Sequence, residues 1–515
     1  MNNFDGLNDQ QRRAVMEAEG PVLIAAGPGT GKTRTLVHRI AHLISAQQIP
    51  PQAIMAVTFT RSAALEIKER LNQMLGQQLG EGLWVETFHS AAFKILRTEG
   101  RPFGPGRPFS IIGDEEKSGC LKNLVPAKNI KRFLEELSRL KRNGFNPGDP
   151  AGRMYQERLS QAGLLDFDDL LLHGAEFLEN QEGRGWTKRF RYILVDEFQD
   201  TSPAQYRLLR LLAQKNICVI GDPDQAIYSF AGDAFNPLET FRRDFPGCRE
   251  FSITQNYRSQ AMIIDAAKQV IAKNPSPPGR RLEAKLETGL PIEINVYQSD
   301  RQEAQMIARR IEGLLGGGSF FTIDSEWAVK EQESAVYSLN DIAILYRLHA
   351  QARLIKEALE SAGLPLRVYG PKNSGDGETS KTVDLTDIAA EESAVPGNAQ
   401  RAEMISLMTL HRAKGLEFPV IFIAGCEDGV VPYQKDNDRS GERIEEERRL
   451  FYVGITRAGK RLFLSSAKKR FLFGKTRISP CSPFIHDIEE RLRLMREDRS
   501  QYKPKPRPQP TLFDL

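Results

Sequence analysis

No stretch of 18 apolar residues occurs in the 515-residue chain, which excludes a spanning helix. Excess charge of one sign is also missing. The 71 basic residues stand against 67 acidic ones, a net charge of +4. That excludes a globally polybasic nucleic-acid binder, so any such contact has to be a local patch. Cysteine is scarce: Cys120, Cys218, Cys248, Cys426 and Cys481 lie far apart, with no CxxC pair. They read as reduced, mostly structural thiols, not as a disulfide framework or a metal ligand set. The opening MNNFDGLNDQQ lacks an apolar signal-peptide core, and together with the thiols it predicts a cytoplasmic protein. No internal repeat is visible.

Hydrophobic residues make up 40% of the chain and charged residues 27%, which suits sizeable packed cores and excludes a wholly disordered chain. At about 150 residues per domain, the length predicts three to four domains. Short apolar runs recur at Pro21–Ala26, Ile54–Phe59, Tyr192–Val195, Ile217–Ile220, Ile342–Tyr346, Val420–Ala424 and Leu462–Ser465. Runs of four to six apolar residues separated by helical segments predict parallel α/β layers. They fall into two clusters, before residue 260 and after residue 290, hence two α/β domains. Residues 96–190 lack such runs and are rich in helix formers, which predicts a helical insertion. Residues 371–400 are polar throughout and read as a linker or small lobe, and 501–510 form a proline-rich basic tail.

Chemistry is concentrated at Ala26-Gly27-Pro28-Gly29-Thr30-Gly31-Lys32-Thr33. This run follows an apolar strand and precedes a helical pattern that begins with Arg34, the context of a phosphate-binding loop. Glycines at 27, 29 and 31 let backbone N–H groups approach phosphates. Lys32 supplies a point charge to the β- and γ-phosphates, and Thr33 a hydroxyl to Mg²⁺. Such a site needs a second acidic element at a strand end. Asp196 and Glu197, after Tyr192–Val195, provide it: Asp196 to hold Mg²⁺ through water, Glu197 to polarise the attacking water. Adjacent carboxylates at a buried strand end are costly unless a cation is near. ATP and Mg²⁺ are the expected cofactors.

These motifs, with others in the same order, resemble the UvrD/Rep/PcrA-type DNA helicases of superfamily 1 from about Leu7 to about Glu490. Leu7–Val15 resembles the Q motif, in which Gln11 would read the adenine edge. Thr58–Arg61 and Thr87–Ser90 resemble DNA-contact motifs, which implies DNA roles for Phe59, Thr60, Thr87 and His89; read alone, His89 is a structural histidine. Leu165–Leu170 resembles a family signature. Ile220–Gly232 resembles motif III: Gln225 would contact the γ-phosphate or its water, with Tyr228 and Phe230 toward DNA. Ala231 stands where the family usually has Arg. Gln255–Ser259 resembles motif IV, with Tyr257 stacking on adenine and Arg258 reaching the γ-phosphate. Met408–Val420 resembles motif V, with Thr409 and His411 near the DNA backbone and Glu417 at the nucleotide's sugar or the domain interface. Glu446–Ala458 resembles motif VI, with Arg457 as a second arginine finger. Tyr433 and Phe473 are further stacking candidates, although core packing is the alternative for each aromatic.

The resemblance implies an α/β fold with two RecA-like parallel-sheet P-loop motor domains and a mostly helical insertion in the first. Domain 1A comprises 1–95 and 191–260, the insertion 1B 96–190, and domain 2A 261–370 and 401–500. Residues 371–400 stand where the family carries its large 2B insertion, and 501–515 form a tail. The implied activity is an ATP-dependent DNA helicase or translocase of replication or repair, moving 3′→5′ on single-stranded DNA and acting at single–double-strand junctions as a monomer. Alternatives are a translocase that strips proteins without efficient unwinding, or a clamp- or DNA-bound accessory protein with weak hydrolysis. Gln509, Leu512 and Phe513 in the tail resemble the short peptide that docks in the bacterial sliding clamp. No membrane contact is expected.

Overall fold

The structure is a computed structural model. It describes residues 4–497 apart from 5, 18, 77–81, 101, 104–106, 145–146, 228–234, 276–281, 317–336, 371–402 and 435–439. The chain divides into two units. The first is built mainly from Met1–Tyr257, the second from Arg258–Pro278, Glu283–Lys372 and Arg401–Leu515.

The first unit is organised by six strands: β1 (Val22–Ala26), β2 (Ile54–Thr58), β3 (Trp84–Thr87), β6 (Tyr192–Val195), β7 (Asn216–Gly221) and β8 (Arg249–Ile253). Two two-residue strands, β4 (Ser110–Ile111) and β5 (Leu164–Leu165), pair with each other. The six-stranded sheet has the order β3-β2-β6-β7-β1-β8, and every pair in it is parallel. Successive strand residues feed opposite faces, as period-two geometry demands. Val22, Ile24, Ala56 and Leu194 pack in one cluster with Leu36, Val37 and Ile40 of helix α2 (Lys32–Ser45). Leu23, Met55, Ile193 and Val219 pack in the other with Phe88 and Leu171. Both faces are therefore covered, which is why these strands read as unbroken apolar runs.

Parallel pairing has one consequence for chemistry. All carboxyl ends lie on one edge of the sheet, so the glycine loop after β1, the acidic pair after β6 and Asp222 after β7 share that edge.

Residues 114–187 carry five α-helices and no strand beyond β5, matching the helical composition. Lys141 is fully buried there and pairs with Asp166 at 2.5 Å and Asp169 at 2.6 Å. The Tyr155 hydroxyl donates to Asp166, and the Gln156 amide to Asp169. The aspartates of the Leu165–Leu170 segment thus lock these helices around one ammonium group.

The second unit begins its strands with β10 (Glu283–Ala284), after β9 (Gln255–Asn256) has closed the first unit. Its seven-stranded sheet uses β11 (Ile292–Tyr297), β12 (Ile342–Tyr346), β13 (Leu366–Tyr369), β14 (Ile405–Thr409), β15 (Phe418–Ile423), β16 (Ala458–Ala467) and β19 (Arg493–Glu497). The order is β13-β14-β12-β15-β16-β11-β19, again parallel throughout. A separate antiparallel hairpin joins β17 (Lys469–Leu472) to β18 (Lys475–Ile478). Arg470 anchors it: the buried guanidinium bridges Glu303 and Glu427. Two parallel sheets flanked by helices confirm the expected α/β class.

Several strands carry no clean apolar run. In β8 only Ile253 is buried, as an edge strand allows, and β3 contains Glu86. Residues 371–400 and 501–515, with their linker and clamp-peptide readings, lie outside the described residues.

Candidate nucleotide site and nucleic-acid interface

The loop after β1 is tied back by its carbonyls. The Gly27 carbonyl accepts from the Thr30 hydroxyl at 2.8 Å and the Pro28 carbonyl from the Asn256 amide at 2.6 Å. The Gly29 carbonyl accepts from Tyr257 N–H at 2.9 Å, and the Thr30 carbonyl from the Gln11 amide at 2.9 Å. With four consecutive carbonyls engaged, the loop's N–H groups remain as the donors for a phosphate. Gly31 takes φ +82° and caps the N-terminus of α2. A β-carbon there would lie 2.7 Å from Gln11 Nε2, so both conformation and space demand glycine. Lys32 and Thr33 open the helix and Arg34 follows, where the helix dipole favours an anion.

The acidic pair stands opposite. The Thr33 hydroxyl donates to Asp196 Oδ2 at 3.3 Å, and Lys32 Nζ lies 4.0 Å from Glu197 Oε1. Glu197 takes φ +49°, ψ +41°, a left-handed conformation that costs a non-glycine residue about 1–3 kcal/mol and clusters at functional sites. Burial, then the neighbouring Glu197 charge, pushes the Asp196 carboxyl up to about 7, against the pull of Lys32. A buried carboxylate beside a second carboxylate and a hydroxyl is a hard-oxygen cradle short of positive charge, and it fits Mg²⁺. Gln225 is 1% exposed, and its amide donates to Asp222 Oδ2 at 2.8 Å. Lys32, Thr33, Asp196, Glu197 and Gln225 therefore gather on the sheet edge that parallel pairing predicts.

At the other end of the loop Tyr257 is 46% exposed. Its hydroxyl donates to Gln255 at 2.7 Å and accepts from the Asn8 amide at 2.8 Å, which leaves an aromatic ring held at the surface. Gln11 is buried. Its oxygen accepts from Asn8 N–H while its amide holds the loop, so here it braces Thr30. Asn8, Gln255 and Asn256 were not anticipated as site residues. For Asn8 a signal exists: Asn8 and Gln11 have capping-box spacing, and the box forms.

In the second unit Arg258 pairs with Glu417 at 2.6 Å. Arg457 is 3% exposed; it donates to the Val453 carbonyl at 3.0 Å, the Leu416 carbonyl at 3.3 Å and the Thr456 hydroxyl at 3.2 Å.

The nucleic-acid candidates occupy strand and helix ends. Phe59 follows β2 half-buried. Thr60 caps the helix Arg61–Leu75, and Thr87 caps the helix Phe88–Ile95. His89 stacks on Phe167 with centroids 3.9 Å apart, which joins two motifs distant in sequence. Burial, then Arg142, lowers His89 to about 3. Burial, then Arg347 and Lys414, lowers His411 to about 4. Both imidazoles are neutral at physiological pH and offer hydrogen bonds, not charge. The Thr409 hydroxyl accepts from Arg412 N–H at 3.3 Å. Tyr433 is half-buried under the Arg347 guanidinium. Phe473, at φ +53° and 63% exposed, forms the hairpin tip with Gly474. Tyr228, Phe230 and Ala231 lie outside the described residues.

All five cysteines are free thiols. Among the described residues no group of three or more His, Cys, Asp or Glu side chains is placed to hold a metal, and no helix is long and apolar enough to cross a membrane.

The UvrD/REP helicase N-terminal domain matches residues 7–246. The UvrD-like helicase C-terminal domain matches in two pieces, 251–374 and 372–469, which meet near the start of the 371–400 segment. DNA helicase II of Escherichia coli (strain K12) is 30% identical across 95% of this chain and 88% of its own length. The ATP-dependent DNA helicase PcrA of Bacillus subtilis (strain 168) is 30% identical across 95% and 86%. A probable DNA helicase II homolog of Rickettsia felis is 31% identical across 98% and 99%. These alignments span 650 to 660 positions against a chain of 515, so the relatives carry residues without counterpart here. With both domain models matched and relatives 30–31% identical over nearly the whole chain, the chain belongs to the UvrD/Rep/PcrA family of DNA helicases.

Proposed function

We infer that this protein is an ATP-dependent DNA helicase of replication or repair, working on single-stranded DNA with 3′→5′ polarity. The observation that carries the reading is the convergence of Lys32, Thr33, Asp196, Glu197 and Gln225 at one sheet edge, beside a loop with four consecutive carbonyls engaged. Loop N–H groups and Lys32 bind the nucleotide's phosphates. Glu197 accepts a proton from the attacking water, and Gln225 orients that water. Thr33 and Asp196 would hold a magnesium ion, which would supply charge neutralisation at the phosphates. Tyr257 stacks on the adenine and Gln11 stands behind the loop. Arg258 and Arg457 bring positive charge to the γ-phosphate, and Glu417 meets the sugar. Turnover in this class depends on conformational closure, which moves the DNA past Phe59, Thr60, Thr87, His89, Tyr228, Phe230, Thr409, His411, Tyr433 and Phe473. Aromatic stacking at about 1–3 kcal/mol per base accepts any sequence, as a motor requires.

The short 371–400 segment supports a compact motor that acts as a monomer without duplex contacts from a 2B lobe. The test is ATP turnover with and without single-stranded DNA, alongside unwinding of a 3′-tailed duplex over a range of protein concentrations. Strong DNA stimulation, with constant unwinding per protomer, is expected. Absence of DNA-stimulated turnover would overturn the helicase reading. A steep concentration threshold for unwinding would overturn the monomeric one. DNA-stimulated turnover with displacement of bound protein but no unwinding would select a stripping translocase. Weak turnover at every DNA concentration would select an accessory role.

The tail carries a separate proposal: Gln509, Leu512 and Phe513 anchor the protein to the bacterial sliding clamp in the cytoplasm, a hydrophobic pair entering a pocket. Leu512→Ala with Phe513→Ala is expected to abolish binding to purified clamp while DNA-stimulated turnover stays within about twofold, because the tail lies outside the catalytic set. Undiminished clamp binding in that variant would refute the proposal.

A further inference from the structure

The catalytic carboxylate after β6 does not stand alone. Gln199, two residues on and 5% exposed, donates from Nε2 to Glu197 Oε2 at 2.5 Å. Its Oε1 accepts from the backbone N–H of Asp222 at 2.9 Å. Asp222, itself 3% exposed, accepts from Asp224 N–H at 3.0 Å and from the Gln225 amide at 2.8 Å. A continuous hydrogen-bonded relay therefore runs from Glu197 through Gln199 and Asp222 to Gln225. The partners settle the orientation of the Gln199 amide, because a carboxylate can only accept and a backbone N–H can only donate. A glutamate at this position would turn a carboxylate toward a carboxylate. A leucine would remove both hydrogen bonds of the bridge.

The backbone makes room for this bridge. A β-carbon on Gly221 would lie 2.6 Å from Gln199 Oε1, so the glycine before Asp222 admits the amide. The left-handed φ of Glu197 starts the tight turn Phe198–Asp200 that carries Gln199 back under the carboxylate.

We propose that Gln199 is a positioning residue that holds the Glu197 carboxylate in its reactive orientation and ties it to Gln225, so that the water-activating and γ-phosphate-sensing groups move as one. The proposal rests on the assignment of Glu197 and Gln225 made above and adds Gln199 to them. Gln199, whose Nε2 also donates to Asp200 Oδ2 at 3.3 Å, acts through the groups it joins. Its second hydrogen bond distinguishes it from a packing residue, because an amide with one bonded end would position Glu197 alone.

The test compares Gln199→Leu, Gln225→Ala and the double variant by kcat and KM for ATP at saturating single-stranded DNA, with thermal melting as the check on folding. Gln199→Leu is expected to lower kcat by about 10²-fold, the cost of displacing a catalytic group by about an ångström, with KM changed less than about threefold. Gln199→Glu, which keeps the acceptor toward Asp222 and loses the donor toward Glu197, is expected to lower kcat as far. The double variant is expected to be no slower than the slower single one, because residues acting as a unit are non-additive. Multiplicative losses in the double variant, or an unchanged kcat in a folded Gln199→Leu protein, would overturn the relay. Glu197→Gln separates the two levels. Full turnover in that variant removes the catalytic assignment itself. Abolished turnover there, beside an intact Gln199→Leu enzyme, removes only the relay.

Discussion

Replacing Glu197 by Gln is expected to slow ATP hydrolysis by about 10²–10⁴-fold, the range of a lost general base, while nucleotide binding survives. The amide is nearly isosteric and keeps a group beside Lys32, which lies 4.0 Å from the present carboxylate. What disappears is proton acceptance. The same change removes the second cause of the raised Asp196 carboxyl, so the buried aspartate loses a like charge and the folded state is not penalised. Single-turnover hydrolysis, with binding of a fluorescent ATP analogue and thermal melting, checks all three expectations. Retained hydrolysis would move water activation to another residue, and lost nucleotide binding would show that Glu197 supports the phosphate loop itself. Lys32→Ala differs in kind, because it removes phosphate charge and weakens binding and turnover together.

Arg457→Ala is expected to lower DNA-stimulated turnover by about 10³–10⁵-fold, the range for an arginine finger. The arginine is sheathed by its own unit: Val453, Leu416 and Thr456 accept from the guanidinium. To serve the γ-phosphate it has to exchange those bonds for phosphate oxygens. A charged, preorganised fork can do so, whereas a lysine presents a single point charge. Arg457→Lys is therefore expected to recover little of the activity. Truncation also removes three hydrogen bonds of a buried guanidinium, at about 0.5–1.5 kcal/mol each, so melting must accompany the kinetics. An alanine variant that is folded at the assay temperature and turns over normally would exclude Arg457 from the reaction. One that is inactive only because it has unfolded would make its role structural.

Much of the candidate site was legible because its residues are local in the chain. Gly27 to Thr33 are consecutive, and their meaning depends on a strand before and a helix after, both readable as patterns. Asp196 and Glu197 are recognisable once Tyr192–Val195 reads as a buried strand. Partners brought in from far along the chain were not legible. Asn256 holds the Pro28 carbonyl from 228 residues away, and nothing in the spacing of an asparagine announces that. His89 was left between a structural and a DNA-contact role; its stack on Phe167 and its neutral ring emerged only with the packing of the helical insertion. The edge strand β8 escaped because solvent covers most of its length, which relaxes the demand for apolar residues.

The sequence by itself determined that the chain is an α/β protein with a phosphate loop and an acidic strand end, because those depend on apolar runs, glycine and charge at adjacent positions. Only the tertiary structure decided that Gln11 stands behind the loop, that Asn8 holds the Tyr257 hydroxyl and that Gln199 lies between Glu197 and Asp222. The physical reason is that parallel pairing brings the carboxyl ends of β1, β6 and β7 to one edge, and hydrogen bonds between those ends are fixed by strand order, which a one-dimensional pattern does not encode.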